Sequence, residues 1–320
     1  MSWQANMANR LLKTLIKAPL TVAPISTTTM RVARRIADVA SCFIPVPSFV
    51  SIVQTTINGV PAEWVTGGDN VCDEKVILYC HGGGYFAGSP RSHRSLTWRL
   101  SRDAGVRVLA IDYRLFPEHS IPDAMADALT VYEALLEKGY HPNDIIIAGD
   151  SAGGHLVLIT SQEIRNRGIP MPAALVCLSP FGDLSETSES LVANAKTDAY
   201  LPTRVVRSIQ RILTRSSGLD PFSPQVSPVY GDYTDFPPMY FQVSSSEVIL
   251  DDTKRIAENA EAAGVSVVLH VWDNMPHVFS LLAGLLPEAN EAIKEIATFI
   301  RQNVSIDSEE KLLLINRAAQ

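Results

Sequence analysis

The stretch Ile145-Ile-Ile-Ala-Gly-Asp-Ser-Ala-Gly-Gly154 decides the fold. Its first four residues form an apolar, β-branched run, the pattern of a strand covered on both faces. A helical pattern follows over 152–167. Between the two lies G-x-S-x-G in a strand–turn–helix context. A turn tight enough to lift one side chain above the strand ends leaves no space beside it, so glycine takes the flanking positions. Ser151 is therefore the candidate nucleophile, with the helix N-terminus directing N–H groups towards developing negative charge. The plain alternative is a glycine-rich turn with an incidental serine, and the strand before it and helix after it weigh against that.

Outward from this turn, short apolar runs recur at 75–80, 106–111, 174–178, 239–243 and 265–272, each reading as a strand. Helical patterns occupy 122–138, 251–264 and 287–303. Strands alternating with helices imply an α/β fold with a mainly parallel sheet flanked by helices. Upstream, Val50–Ile57 and Val60–Val65 flank Asn58-Gly59, a hairpin signal that adds an antiparallel edge and brings the sheet to eight strands. Two regions break the rhythm. Residues 1–45 carry helical patterns but no strand, with Arg31, Arg34 and Arg35 on an expected wet face. Residues 183–228 are far longer than an ordinary strand-to-strand connection and read as a lid or cap.

Composition excludes several function classes. The chain has 320 residues, 27 Lys+Arg against 34 Asp+Glu, and a formal charge of −7. That balance argues against nucleic-acid binding, which requires a basic footprint, and equally against a polybasic membrane-surface protein. No apolar stretch reaches the ~18 residues that span a bilayer, so no integral membrane association is expected. Lys13 and Lys17 interrupt the first apolar residues and no small-residue cleavage site stands out, which argues against a secretory signal. Cys42, Cys72, Cys80 and Cys177 lack zinc or disulfide spacing and read as reduced thiols of a cytoplasmic protein. No His, Asp or Glu cluster has metal-ligand spacing, and neither a metal nor a cofactor is expected.

About seventy residues before Ser151, the strand ending at Cys80 delivers His81-Gly-Gly-Gly84. Consecutive glycines bend freely and leave their N–H groups uncovered, as the oxyanion of a tetrahedral acyl intermediate requires. The N–H groups of Gly83, Gly84 and Ala152 are the candidates for this role. A phosphate-cradling loop is the rival, but the sequence lacks both the G-K-[ST] ending and the G-x-G-x-x-G spacing. His81 reads as a loop anchor.

His81-Gly-Gly-Gly84, Asp112-Tyr-Arg-Leu-Phe-Pro-Glu-His119 and Gly149-Asp-Ser-Ala-Gly153, in this order and spacing, resemble the hormone-sensitive-lipase family of α/β-hydrolases, specifically its bacterial esterases. The resemblance covers roughly residues 45–304. Phe116 stands where family members usually have alanine. The resemblance implies an α/β-hydrolase core in two parts (46–182 and 229–304), with 1–45 and 183–228 folding together as a helical cap. Ser305–Gln320 extends past the family's usual end and reads as a tail.

A hydrolase of this design runs Ser, acid, His along the chain. After the helix that starts beyond Ser151, only His270 and His277 remain. His270 lies inside the last strand, whereas His277 follows it in Asp273-Asn-Met-Pro-His277, on a loop where α/β folds collect catalytic groups. His277 is the candidate base, and a family His-x-Phe pattern agrees. The family's acid usually stands first in Asp-Pro-Leu-x-Asp-Glu. Aligned on the second acidic pair, Ser246-Glu-Val-Ile-Leu-Asp-Asp252 puts Glu247 at that position, with Asp251 as the alternative. Asp251 and Asp252 otherwise read as N-terminal helix residues that satisfy orphan N–H groups. Asp112, Arg114 and Glu118 read as a structural ion-pair network, and Asp150 as a hydrogen-bonding residue of the turn.

These residues support a serine carboxylesterase, and the resemblance implies short- to medium-chain acyl esters, a small-molecule substrate class. The same residues would also serve an amide, formamide or lactone. A non-catalytic ligand-binding protein is the reading from another class: plant gibberellin receptors resemble this family but lack the histidine, which is present here. Tyr85, Phe86, Leu201, Val205, Val206, Ile209 and Phe279 are candidates for a substrate wall, each equally able to be core. Relatives commonly form homodimers through the last strand and helix, which is the expectation here.

Overall fold

One sheet organises the computed structural model, which describes residues 1–304; the expected tail at 305–320 lies outside the described residues. Its strands are β1 (Ser51–Ile57), β2 (Val60–Thr66), β3 (Cys72–Cys80), β4 (Val106–Ile111), β5 (Ile145–Asp150), β6 (Ala174–Leu178), β7 (Met239–Ser244) and β8 (Val267–Trp272). They lie in the order β1-β2-β4-β3-β5-β6-β7-β8. β1 and β2 pair antiparallel, as do β2 and β4, and every later pairing is parallel. The β1–β2 turn has Asn58 and Gly59 both at positive φ, 45° and 90°, the geometry that twists a two-residue hairpin correctly.

Strand alternation divides the interior in two. Val76, Leu78 and Cys80 of β3 face one cluster, while Ile77 and Tyr79 face the other, and all five are fully buried. The first cluster is covered by α5 (Ile121–Glu137), α6 (Ala152–Asn166) and α9 (Leu250–Ala262), the second by α4 (Arg94–Ala104) and α10 (Pro287–Asn303). Burying each large apolar side chain contributes about 1.5–3 kcal/mol, which is why the doubly covered strands are apolar on both alternations. β8 is the exception. Its sequence is as apolar as the others, yet it is the sheet edge, and Val268, Leu269 and Val271 remain exposed.

The two irregular regions meet each other. The first comprises α1 (Trp3–Leu12), a π-helical turn at Lys13–Lys17, α2 (Ala18–Val22) and α3 (Thr27–Ser41); the second lies between β6 and β7 and includes α7 (Ser190–Ala193) and α8 (Thr203–Ser217). Lys17 Nζ donates to the Ala195 and Asp198 carbonyls, both at 2.7 Å, and Arg204 Nη1 to those of Thr21 and Ala23 at 3.1 and 2.9 Å. The expected wet face of α3 holds for Arg31 and Arg35, which are exposed, and needs correcting for Arg34, which is half-buried. Arg31 and Arg34 both pair with Glu118, and Arg34 also donates to the Phe86 carbonyl at 2.8 Å and to the Phe116 carbonyl. Arg34 thus fastens α3 to the core, while Arg31 pairs at the surface and Arg35 stays in solvent. Among the described residues no helix is long and apolar enough to cross a membrane.

Candidate active site

β5 ends at Asp150 and α6 begins at Ala152, so Ser151 alone makes the turn, with φ 52° and ψ −118°. A positive φ at a residue with a Cβ is strained by about 1–3 kcal/mol and persists only where neighbours over-determine it. Here the Ser151 N–H donates to the Leu178 carbonyl at 2.8 Å, while its own carbonyl accepts from Phe181 and His155 at 3.1 and 3.0 Å. The glycines are sterically required. A Cβ on Gly153 would stand 2.0 Å from the Cys80 carbonyl oxygen, and one on Gly149 2.5 Å from that of Gly153. Gly153→Ala is therefore expected to destabilise the protein by about 3 kcal/mol, readable as a lowered urea midpoint.

The structure brings Ser151, His277 and Glu247 into one hydrogen-bonded line. His277 Nε2 lies 2.9 Å from Ser151 Oγ, and Nδ1 lies 2.5 Å from Glu247 Oε2. An ionised carboxylate only accepts, so Nδ1 carries the proton and Nε2 offers its lone pair to the serine hydroxyl. Glu247 is fully buried, and its other oxygen accepts from Ser179 Oγ at 2.8 Å and from the Ser244 N–H at 2.7 Å. Burial pulls the His277 pKa down, but the charge and hydrogen bond of Glu247 outweigh it, aided by Asp198 and Asp150. The imidazole stands above its ordinary 6.5.

The other acids lie elsewhere. Asp251 accepts from the Ser190 N–H at 2.7 Å. Asp252 accepts from the Gly182 and Asp183 N–H groups at 2.9 and 3.1 Å and from Ser188 Oγ. Both carboxylates thus satisfy N–H groups of the β6–β7 connection rather than those of their own helix, which corrects that part of the sequence reading. Burial of Asp252, with Asp183 beside it, pushes its pKa up to about 7.

The glycine loop follows β3. Gly83 and Gly84 have φ of 124° and 63°, a conformation that side chains resist. Among the described residues the N–H groups of Gly83, Gly84 and Ala152 donate to no protein acceptor. Asp150 holds this loop against the serine turn: it accepts from the Gly82 N–H at 3.0 Å and from Tyr79 Oη at 2.6 Å, and lies 3.3 Å from His93 Nε2. His81 is fully buried, stacks on Tyr113 at 4.4 Å, and is pushed down to about 3 by burial. Arg114 pairs with Asp127 and Asp123, and Asp112 lies 4.0 Å from His81.

The candidate wall residues separate. Tyr85 is core, with its hydroxyl 2.6 Å from His155 Nδ1, and Phe279 is core on the α4/α10 side, against Trp272. Both take the core alternative that the sequence left open. Val206 is buried, whereas Phe86, Leu201, Val205 and Ile209 are half-buried. Several residues that contact the site escaped sequence reading. Tyr200 stacks on His277 at 6.0 Å, Asp198 accepts from the Val248 N–H at 3.0 Å, and Ser179 and His93 make the contacts given above. None sits in a motif; their only signal is three-dimensional proximity.

Comparison with known proteins agrees with this architecture. A family model described as alpha/beta hydrolase fold matches residues 77–281. An acetyl-hydrolase of Streptomyces hygroscopicus is 40% identical over 247 residues, 77% of this chain and 81% of that protein. An esterase of Acinetobacter venetianus is 36% identical over 300 residues, 93% of this chain and 96% of the other. The crystal structure of an esterase from the bacterial hormone-sensitive lipase family superposes with a TM-score of 0.87 at 37% identity, covering 95% of this chain and 99% of that one. With the sheet order, the glycine loop and the strained serine turn in place, the chain belongs to the α/β-hydrolases, in their hormone-sensitive-lipase family.

Proposed function

We propose that this protein is a serine carboxylesterase that works through an acyl-enzyme. The observation that carries the reading is the unbroken line from Ser151 through His277 to Glu247 beside three unengaged backbone donors. Ser151 Oγ attacks the ester carbonyl while His277 Nε2 takes its proton, and the carbonyl oxygen becomes an oxyanion against the N–H groups of Gly83, Gly84 and Ala152. Glu247 balances the imidazolium. His277 then protonates the leaving alkoxide as the C–O bond breaks. Water enters, gives its proton to His277 and its oxygen to the acyl carbon, and Ser151 leaves with its proton restored.

The acetyl-hydrolase and esterase relatives support an ester substrate with a small acyl group. Residues 1–45 and 183–228 act together as a cap, a reading supported by the Lys17 and Arg204 hydrogen bonds between them. The four unpaired cysteines support a reducing, cytoplasmic setting. The apolar edge strand β8 supports pairing of two copies, which sedimentation at graded protein concentration would reveal.

A series of chromogenic esters of increasing acyl length, run beside Ser151→Ala, tests the reading. Turnover is expected to peak at short to medium acyl groups, and no ester turnover above that control would overturn it. The pH profile is a further check. His277 must be neutral to accept the serine proton, and its pKa is raised, so kcat/KM should fall as pH drops through a midpoint above 6.5. Glu247→Gln, measured through its residual rate, should move that midpoint down.

A further inference from the structure

The first N-terminal helix turns small and polar groups inward and large apolar groups outward. Ala5 and Asn9 are buried, with Asn9 Nδ2 on the Asn274 carbonyl at 2.8 Å. On the outer side of α1 and the π-helical turn that continues it, Trp3, Met7, Leu11 and Leu15 form an i, i+4 row with exposures of 68, 49, 50 and 66%. Such a row drifts about 40° per step around an α-helix, and the wider π-helical turn at Lys13–Lys17 turns it back. On α3 and just past its end, Val32, Ile36, Val39 and Phe43 repeat the pattern at i, i+4, i+7 and i+11, exposed by 51, 65, 62 and 82%. Apolar helix faces of this extent are normally covered.

Charge identifies what covers them. Residues 1–45 hold six Lys and Arg against one acid, Asp38, while the rest of the chain holds 21 against 33. The whole-chain charge of −7 averages over this asymmetry. Arg10, Lys13 and Arg35, which are exposed, form no ion pair among the described residues. A second copy presenting the same basic face would be repelled. A bilayer rich in anionic phospholipid offers hydrocarbon to the apolar rows and phosphate to the cations.

We infer that residues 1–45 seat this protein on the surface of an anionic phospholipid bilayer, with the outer faces of α1 and α3 at the boundary between headgroups and acyl chains. The acidic remainder is repelled by the same surface, which orients the molecule. α1 holds Asn274, three residues before His277, and Arg34 holds Phe86 beside the glycine loop. Docking therefore turns the Ser151 end of the sheet towards the lipid.

Flotation of the full chain with phosphatidylcholine vesicles, with and without phosphatidylglycerol, tests this. The wild type should bind only the anionic vesicles and be released by salt, and Trp3 emission should shift to the blue on binding, a change absent in Trp3→Phe. Arg10→Glu/Lys13→Glu/Arg35→Glu should weaken partition by about 100-fold or more, since each cation lost costs about fivefold. Leu11→Ser/Leu15→Ser and Ile36→Ser/Phe43→Ser should each weaken it by about tenfold or more, while hydrolysis of a soluble ester and the melting temperature stay at wild-type values. Absence of wild-type binding, equal binding to both vesicle types, or variants that bind as wild type would overturn the proposal. So would serine variants that turn a lipid-free dimer into a monomer, since the face would then serve a second copy.

Discussion

Ser151→Ala is expected to lower kcat/KM for esters by about 10⁶-fold. The loss should appear in kcat, because the hydroxyl forms its bond to the acyl carbon only along the reaction path. The variant should fold normally. The turn already holds a residue with a Cβ at φ 52°, and alanine asks for no conformation that serine does not already adopt. The backbone donors around the oxyanion position remain, so the variant should still bind substrate. A residual rate over solution hydrolysis, insensitive to serine-directed phosphonates, is the expected signature. A variant retaining a tenth of wild-type turnover would remove Ser151 from the nucleophile's place.

Glu247→Gln is expected to cost about 10³–10⁴-fold in kcat, and the hydrogen bonds of the site explain why an isosteric change is so severe. Glu247 Oε1 accepts from Ser179 Oγ and the Ser244 N–H, so the amide oxygen of glutamine must take that place. Its NH₂ group then faces His277 Nδ1 and donates to it. The imidazole proton moves to Nε2, and the nitrogen facing Ser151 loses the lone pair it needs. The positive charge formed on His277 also loses its counter-ion. Asp251→Asn is expected to leave turnover near wild type, because asparagine can still accept from the Ser190 N–H. The reverse result, a silent Glu247→Gln with a collapsed Asp251→Asn, would transfer the acid's role.

Both predictions rest on residues that could be nominated from the sequence, although the reasons for their geometry could not. The hairpin turn, the strand runs and the serine turn are local. Asn58-Gly59 is suited to a two-residue turn, and Gly149 and Gly153 leave space that only the fold shows to be needed, with backbone 2.5 and 2.0 Å from where a Cβ would stand. The strand order was not legible. β4 lies between β2 and β3, a placement decided by crossover connections rather than by any strand's composition. β8 was misleading for the same reason: a run as apolar as Val267–Trp272 resembles a buried strand, but only the neighbour it lacks makes it an edge.

The sequence by itself determined the class of chemistry. Periodicity distinguished strands from helices, and glycine spacing marked the serine turn and the donor loop, because backbone geometry there tolerates few residue types. Chain order narrowed the candidate base to two histidines. Tertiary structure decided where the long polar and aromatic side chains spend their contacts. It put Glu247 on His277 while turning Asp251 and Asp252 to the β6–β7 connection, and it drew Arg34 from solvent onto Glu118 and the Phe86 carbonyl. It also took Tyr85 and Phe279 into the core. A short, conformationally restricted motif carries its geometry locally; a side chain with several rotatable bonds is fixed only by partners that lie tens to hundreds of residues away.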